Sequence, residues 1–152
     1  MNLSALKSPP FRSYVVSLHL ALNGFWAQRV IIGWLAWELT GSAGFVGLVA
    51  FLNFFPTLFV SPLFGVFADR IDVRKGSILS YALAGILSAL FAGLCIFGSP
   101  TPVLLALFSF VTGVISSANH PMRMSLTPRL APADDLPSVV AITSLNFNMS
   151  RL

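Results

Sequence analysis

Residues 76–122 read GSILSYALAGILSALFAGLCIFGSPTPVLLALFSFVTGVISSANHPM, 47 consecutive positions without Asp, Glu, Lys or Arg. A hydrocarbon layer about 30 Å thick is crossed by about 20 apolar helical residues. This run is too long for one crossing. Gly98-Ser99-Pro100-Thr101-Pro102 divides it, because glycine and closely spaced prolines mark a turn. Upstream, residues 39–68 form a second uncharged run, of 30 positions. Working outward gives four complete spans at residues 14–37, 44–67, 76–97 and 103–120. A fifth helix starts near Pro137. The stretch 137–152 reaches only about 24 Å as a helix, an incomplete span. The expected fold class is an all-α membrane protein with four complete transmembrane helices and the start of a fifth.

Composition excludes the alternatives. Of the 152 residues, 56% are hydrophobic and 9% are charged, whereas a soluble domain carries about 25% charged residues. So few charges cannot clothe a soluble core or keep a chain disordered. The single Cys95 excludes a disulfide framework and a cysteine zinc site. His19 and His120 are too far apart in sequence to form a local metal motif. No cofactor, metal or catalytic residue is expected. The first span is read as retained rather than as a cleaved signal, since its apolar region is too long and no small-residue cleavage site follows.

Orientation follows from the cations. Lys7 and Arg12 precede span one; Arg70, Arg74 and Lys75 separate spans two and three; Arg123 and Arg129 separate spans four and five. The two opposite turns carry no basic residue. The positive-inside rule therefore places residues 1–13, and the N-terminus, in the cytoplasm, with residues 14–152 forming the membrane bundle. The same asymmetry accounts for the net charge of +4, so nucleic acid is not expected as a partner. The lipid bilayer is.

Small residues at four-residue spacing point to helix packing in lipid: Gly85, Ala89 and Gly93 on span three, and Ser109, Gly113 and Ser117 on span four. Pro56 removes a backbone hydrogen bond inside span two and is expected to kink it; Pro62 follows in the same helix. Asp134 or Asp135, followed by Pro137, fits an N-cap with a first-turn proline. Cys95 reads as a small packing residue.

Polar residues inside spans need a reason. Span one carries His19, Asn23, Gln28 and Arg29, with His19 and Asn23 on one face. Asn146, Asn148 and Arg151 lie in the fifth helix. A charge in mid-membrane is costly and faces a protein interior or an aqueous cavity. The readings are that His19, Asn23, Gln28, Arg29, Asn146 and Arg151 line a substrate or proton path, that they satisfy one another and nearby backbone, or, for His19 close to the cytoplasmic end of span one, that it simply reaches headgroup water. Two deep arginines with few acids suggest a cavity that attracts anionic groups. Asn53 and Asn119 read as interhelical hydrogen-bonding residues. Glu38 reads as a solvated helix-end acid. Ser116 and His120 are one turn apart, but no orienting third group or oxyanion motif accompanies them.

The most specific local feature is Gly65-Val66-Phe67-Ala68-Asp69-Arg70-Ile71-Asp72-Val73-Arg74-Lys75, between spans two and three. Gly65 permits close helix approach, and the mixed charges can form an ion-pair cluster or a solvated, topology-setting turn. This pattern resembles motif A of the major facilitator superfamily. Further segments resemble its enterobactin-exporter-like branch, the transmembrane secretion effectors: Phe25-Trp26-Ala27-Gln28-Arg29, Gly33-Trp34-Leu35, Glu38-Leu39-Thr40-Gly41-Ser42, Phe55-Pro56, Ser61-Pro62-Leu63-Phe64-Gly65, and the punctuation at Pro121, Pro128-Arg129-Leu130 and Leu136-Pro137. The likeness runs over residues 11–152.

The resemblance implies a twelve-helix secondary exporter, proton-driven or otherwise, of small amphipathic molecules such as siderophores or drugs. It implies a cytoplasmic latch made by Gly65, Asp69, Arg70, Arg74 and Lys75. Val73 stands where a basic residue is common in this branch. Ser109 stands where the family's span-four pattern has an arginine, so the likeness does not extend proton coupling to span four. Fewer than five helices make less than one half of such a transporter. The chain is expected to be its N-terminal portion, inactive alone, partnered by further helices of the same transporter and placed in a bacterial inner membrane. The alternatives are a small four-helix multidrug antiporter acting as a dimer, and a non-catalytic membrane assembly subunit. A membrane enzyme is not expected, because no HExxH or GxSxG pattern occurs.

Overall fold

A computed structural model describes residues 4–68, 72–130 and 135–151; the side chains of residues 64–68, 120 and 128 fall outside that description. Among the described residues there is no strand. The helices are α1 (Pro9–Thr40), α2 (Ala43–Ala68), α3 (Val73–Phe97), α4 (Pro102–Leu126) and α5 (Leu136–Met149). Short 3-10 turns occupy Ser4–Lys7 and Thr127–Leu130. Helices α1 to α4 each contain a stretch long and apolar enough to cross a membrane. Helix α5 is shorter and extends about 21 Å. This is the all-α membrane class expected from the charge-free runs.

Local chemistry explains where the helices stop. Gly41 has a φ of 60°, a left-handed conformation that suits glycine. Its N–H donates to Trp37 O at 2.7 Å, closing α1. Ser42 then starts α2, its Oγ accepting from Phe45 N–H at 3.3 Å. Helix α3 ends at Phe97, and Gly98 N–H donates to Leu94 O at 3.0 Å. Thr101 opens α4 by accepting from Leu104 N–H at 3.3 Å, with Pro102 at the first helical position. At the other end of α3, Asp72 is the N-cap: its carboxylate accepts from Arg74 N–H at 3.0 Å and Lys75 N–H at 3.2 Å. Helix α4 continues through Pro121 to Leu126.

Contacts divide the chain into two compact units: residues 1–29 with 124–152, and residues 30–123. In the second unit, Ile32, Ala36, Val49, Leu105 and Phe108 form a buried core joined by Leu87 and Phe91. Phe91 stacks on Phe108 with ring centroids 4.0 Å apart. The small face of α4 packs as expected. Ser109 and Ser117 are buried, Ser117 Oγ lies 3.3 Å from Thr57 Oγ1, and Gly113 meets the α2 backbone at Asn53. The buried hydroxyls also donate within α4, Ser109 to Leu105 O at 2.8 Å and Ser117 to Gly113 O at 2.7 Å.

The small face of α3 does not pack as expected. Gly85 and Gly93 have nothing described within 4 Å of a side-chain position, and Ala89 is exposed. The contact is made instead by Leu87 and Phe91. Each sits two positions on from a small residue, about 200° round the helix. Large apolar side chains reached the core from that side and turned the glycines outward. Cys95, expected to pack, is exposed. Large apolar side chains are exposed along every span, including the Phe51, Phe55 and Phe59 ladder on α2. In water such surface would aggregate; in a bilayer it meets lipid tails.

The first unit is built differently. Ala5, Phe11, Val139 and Ile142 form its core, with Tyr14, Val15 and Leu130 against them. Hydrogen bonds tie the N-terminal turn to α5 and the preceding turn: Ala5 N–H to Ser138 Oγ at 3.3 Å, Ser8 Oγ to Leu130 O at 2.9 Å, and Tyr14 Oη with Thr127 Oγ1 at 3.0 Å. Asp135 occupies the N-cap position of α5 with Pro137 in the first turn, but its side chain caps no helix N–H. Its carboxylate accepts from the Ser4 hydroxyl instead. Asp134 lies outside the described residues.

Candidate functional site

The polar side chains of α1 converge on α5. His19 Nδ1 lies 2.6 Å from Asn146 Oδ1. Asn146 is 7% exposed, and its Nδ2 donates to Val15 O at 3.1 Å. One turn along α1, Asn23 Nδ2 donates to His19 O at 2.8 Å and lies 3.3 Å from His19 Nε2. The i, i+4 spacing of His19 and Asn23 made this face legible in sequence; that Asn146 answers it from 127 positions away was not. Such interhelical bonds in lipid contribute about 0.6 kcal/mol each on average, up to about 1.7 kcal/mol.

Further along α1 lies an aromatic and cationic cluster. Trp26 packs edge-to-face with Phe25, centroids 5.4 Å apart, and with Phe147 of α5, 6.1 Å apart. Two guanidinium groups sit over its ring, Arg29 at 5.5 Å and Arg151 at 5.0 Å from the centroid. Arg29 also lies 5.1 Å from Phe25, and Arg151 5.5 Å from Phe147. Aromatic faces attract cations through their quadrupole, by about 0.5–1 kcal/mol at an exposed site such as that of Arg151. The rings offset part of the cost of half-burying Arg29. Trp26 Nε1 is buried without a hydrogen-bond partner among the described residues. Sequence reading places Trp26 in a family-like segment without giving it a role. Its position between Asn23 and Arg29 was the available signal.

Of the remaining sequence candidates, Gln28 is half-buried on α1. Arg151 follows the end of α5 at Met149 and is exposed. Pro56 is buried within α2. Gly65 lies in α2. Arg74 and Lys75 are exposed in the first turn of α3. Asp69 and Arg70 lie outside the described residues, as does the side chain of His120. Asp72, quoted in the motif but given no role, holds the end of α3.

The interhelical bonds expected of Asn53 and Asn119 are present. Asn53 Nδ2 donates to Ser109 O and Thr112 Oγ1, both at 3.2 Å, and Asn119 Oδ1 accepts from Ser80 Oγ. An apolar groove of about 360 Å³, lined by Phe45, Leu48, Leu52, Val103, Leu107 and Phe110 among others, lies between α2 and α4. It contributes no polar group to the site. Among the described residues no cluster of His, Cys, Asp or Glu could hold a metal ion.

These features define an integral membrane protein in which polar groups of α1, His19 among them, meet α5. The family described as transmembrane secretion effector matches residues 1–152, and the chain belongs to that family. A staphyloferrin A transporter from Staphylococcus aureus is 23% identical over 138 residues, which cover 89% of this chain. The chain spans 34% of the length of that curated relative. No solved structure matches the chain.

Proposed function

We propose that this chain forms the opening helices of a secondary-active, proton-coupled exporter of small amphipathic molecules such as siderophores or drugs. Alternating access in such proteins rocks two repeated bundles about a midplane site. Further helices of the same transporter complete the site, and the 152-residue chain does not transport alone. In this reading the protein sits in a bacterial inner membrane with residues 1–13 in the cytoplasm. Residues 14–37, 44–67, 76–97, 103–120 and 137–152 are its spans. The Gly65, Asp69, Arg70, Arg74 and Lys75 motif acts as a cytoplasmic latch, and Pro56 bends span two.

The observation that carries the proposal is the meeting of Arg29 and Arg151 on Trp26, beside a His19–Asn23–Asn146 network, in a family of membrane transporters. Arg29 within apolar α1 and Arg151 just past α5 together present positive charge to an anionic group. The family and its siderophore-transporting relative support transport rather than catalysis.

The test uses the full-length protein, expressed in an efflux-deficient bacterium, with export of anionic and neutral siderophores measured. Arg29→Gln with Arg151→Gln should lower export of the anionic compounds by about tenfold or more, since a charge-assisted hydrogen bond contributes roughly 1.5–3 kcal/mol. Neutral compounds should be affected less. Equal export by wild type and variant would remove the anion-binding reading. Transport by the isolated 152-residue chain would remove the partial-transporter reading.

A further inference from the structure

We infer that His19 is the proton-carrying side chain of this transporter and that Asn23 is the positioning residue that reads its charge. The inference rests on the proton-coupled transport proposed above.

The hydrogen bonds fix the ring's protonation pattern. Asn146 Nδ2 is committed to Val15 O, so its Oδ1 faces His19 Nδ1 as an acceptor. At 2.6 Å that contact requires a proton on Nδ1. A neutral imidazole then has its lone pair on Nε2. Asn23 Nδ2 lies there, 3.3 Å away, with hydrogens to donate. With His19 neutral, both ring nitrogens and both polar side-chain atoms of Asn146 have partners.

Protonation undoes one end of it. A proton taken from water at Nε2 gives imidazolium, with N–H now facing the NH2 of Asn23. Two donors cannot share that contact. Asn23 uses the same Nδ2 for His19 O, so presenting Oδ1 to Nε2–H requires its exposed side chain to swing off His19 O as well, with water taking up the freed groups. Release of the same proton from Nε2 to water restores the original arrangement. The buried Asn146 end is unchanged in both states, because Nδ1–H donates throughout. The charge on His19 is therefore expressed as a local change on the exposed side of α1, while the α1–α5 contact persists.

Few charges compete for this role nearby. In α1 the titratable neighbours are Tyr14, bonded to Thr127, and the charged Arg12 and Arg29, seven positions before and ten after. Helix α5 carries no charged residue over Leu136–Met149, with Asp135 just before it on Ser4. The two 3-10 turns bring Lys7 and Arg129, and Arg151 follows α5 with its guanidinium 5.0 Å from the Trp26 ring centroid.

Two measurements test this. With the transporter reconstituted in liposomes, His19→Gln should lose pH-gradient-driven accumulation of substrate while keeping substrate counterflow, which needs no net proton movement. Asn23→Leu should keep both but shift the pH of half-maximal accumulation. Retained gradient-driven accumulation in His19→Gln overturns the inference, as does loss of counterflow in both variants, which would mark a substrate-binding role. Separately, imidazole 15N NMR of the 152-residue chain in lipid nanodiscs, with His120→Gln leaving one ring, should show the Nδ1–H tautomer at high pH. An Nε2–H tautomer overturns the inference. A wild-type transporter indifferent to the pH gradient would instead sink the proton-coupled reading on which it rests.

Discussion

Gly113 of α4 lies so close to Asn53 of α2 that a methyl group at position 113 would overlap the Asn53 carbonyl oxygen and stand 3.0 Å from its carbonyl carbon and 3.1 Å from its Cα. Backbone cannot retreat as a flexible side chain can. Gly113→Ala should therefore push α2 from α4 and destabilise the helix pair by about 1–3 kcal/mol, the usual cost of overpacking. Thermal unfolding in detergent micelles would measure it. Gly85→Ala and Gly93→Ala, where open space surrounds the position, should be neutral or stabilise by roughly 0.5–1 kcal/mol through reduced backbone entropy.

The two bonds from Asn53 to α4 predict a second, separable effect. A double-mutant cycle of Asn53→Ala with Thr112→Val should give a coupling of about 0.6 kcal/mol, the average for interhelical bonds in lipid. No coupling in unfolding assays would mean that the Asn53–Thr112 contact makes no net contribution.

Asp72 holds the first turn of α3. Asp72→Ala should cost about 1 kcal/mol, and Asp72→Ser should restore most of it, because a hydroxyl can also accept from the freed N–H groups. Hydrogen exchange at the Arg74 and Lys75 amides reads this directly. Both should exchange faster in Asp72→Ala and near the wild-type rate in Asp72→Ser.

Topology has its own check. In a Cys95→Ser background, a membrane-impermeant thiol reagent applied to sealed cells should label Ser99→Cys. It should leave Lys7→Cys and Lys75→Cys untouched until the membrane is opened. The reverse pattern would invert the orientation drawn from the basic residues.

Asn146→Leu should release both His19 and Val15 O at once. The loss expected is about 1–2 kcal/mol, two interhelical bonds at about 0.6 kcal/mol or somewhat more each. His19 should then sample both tautomers, which the imidazole 15N spectrum would show as an averaged shift.

The class of fold was legible because membrane burial is a one-dimensional constraint. Helices in lipid satisfy their own backbone, so a run of about 20 apolar residues suffices to specify one. Residues 76–122 with their glycine–proline break, the glycine at 41 and the spacing of His19 and Asn23 all act within a few positions of themselves. Which side of a helix finds a partner is a different matter. Gly85, Ala89 and Gly93 carry the same spacing as Ser109, Gly113 and Ser117, yet only the second set is packed, because Leu87 and Phe91 directed α3 to the core from the opposite face. The pairing of His19 with Asn146, the meeting of Trp26 with Arg151 and the diversion of Asp135 to Ser4 likewise join residues far apart in the chain. Spacing within one helix encodes a face, but only the three-dimensional packing of several helices decides what that face meets.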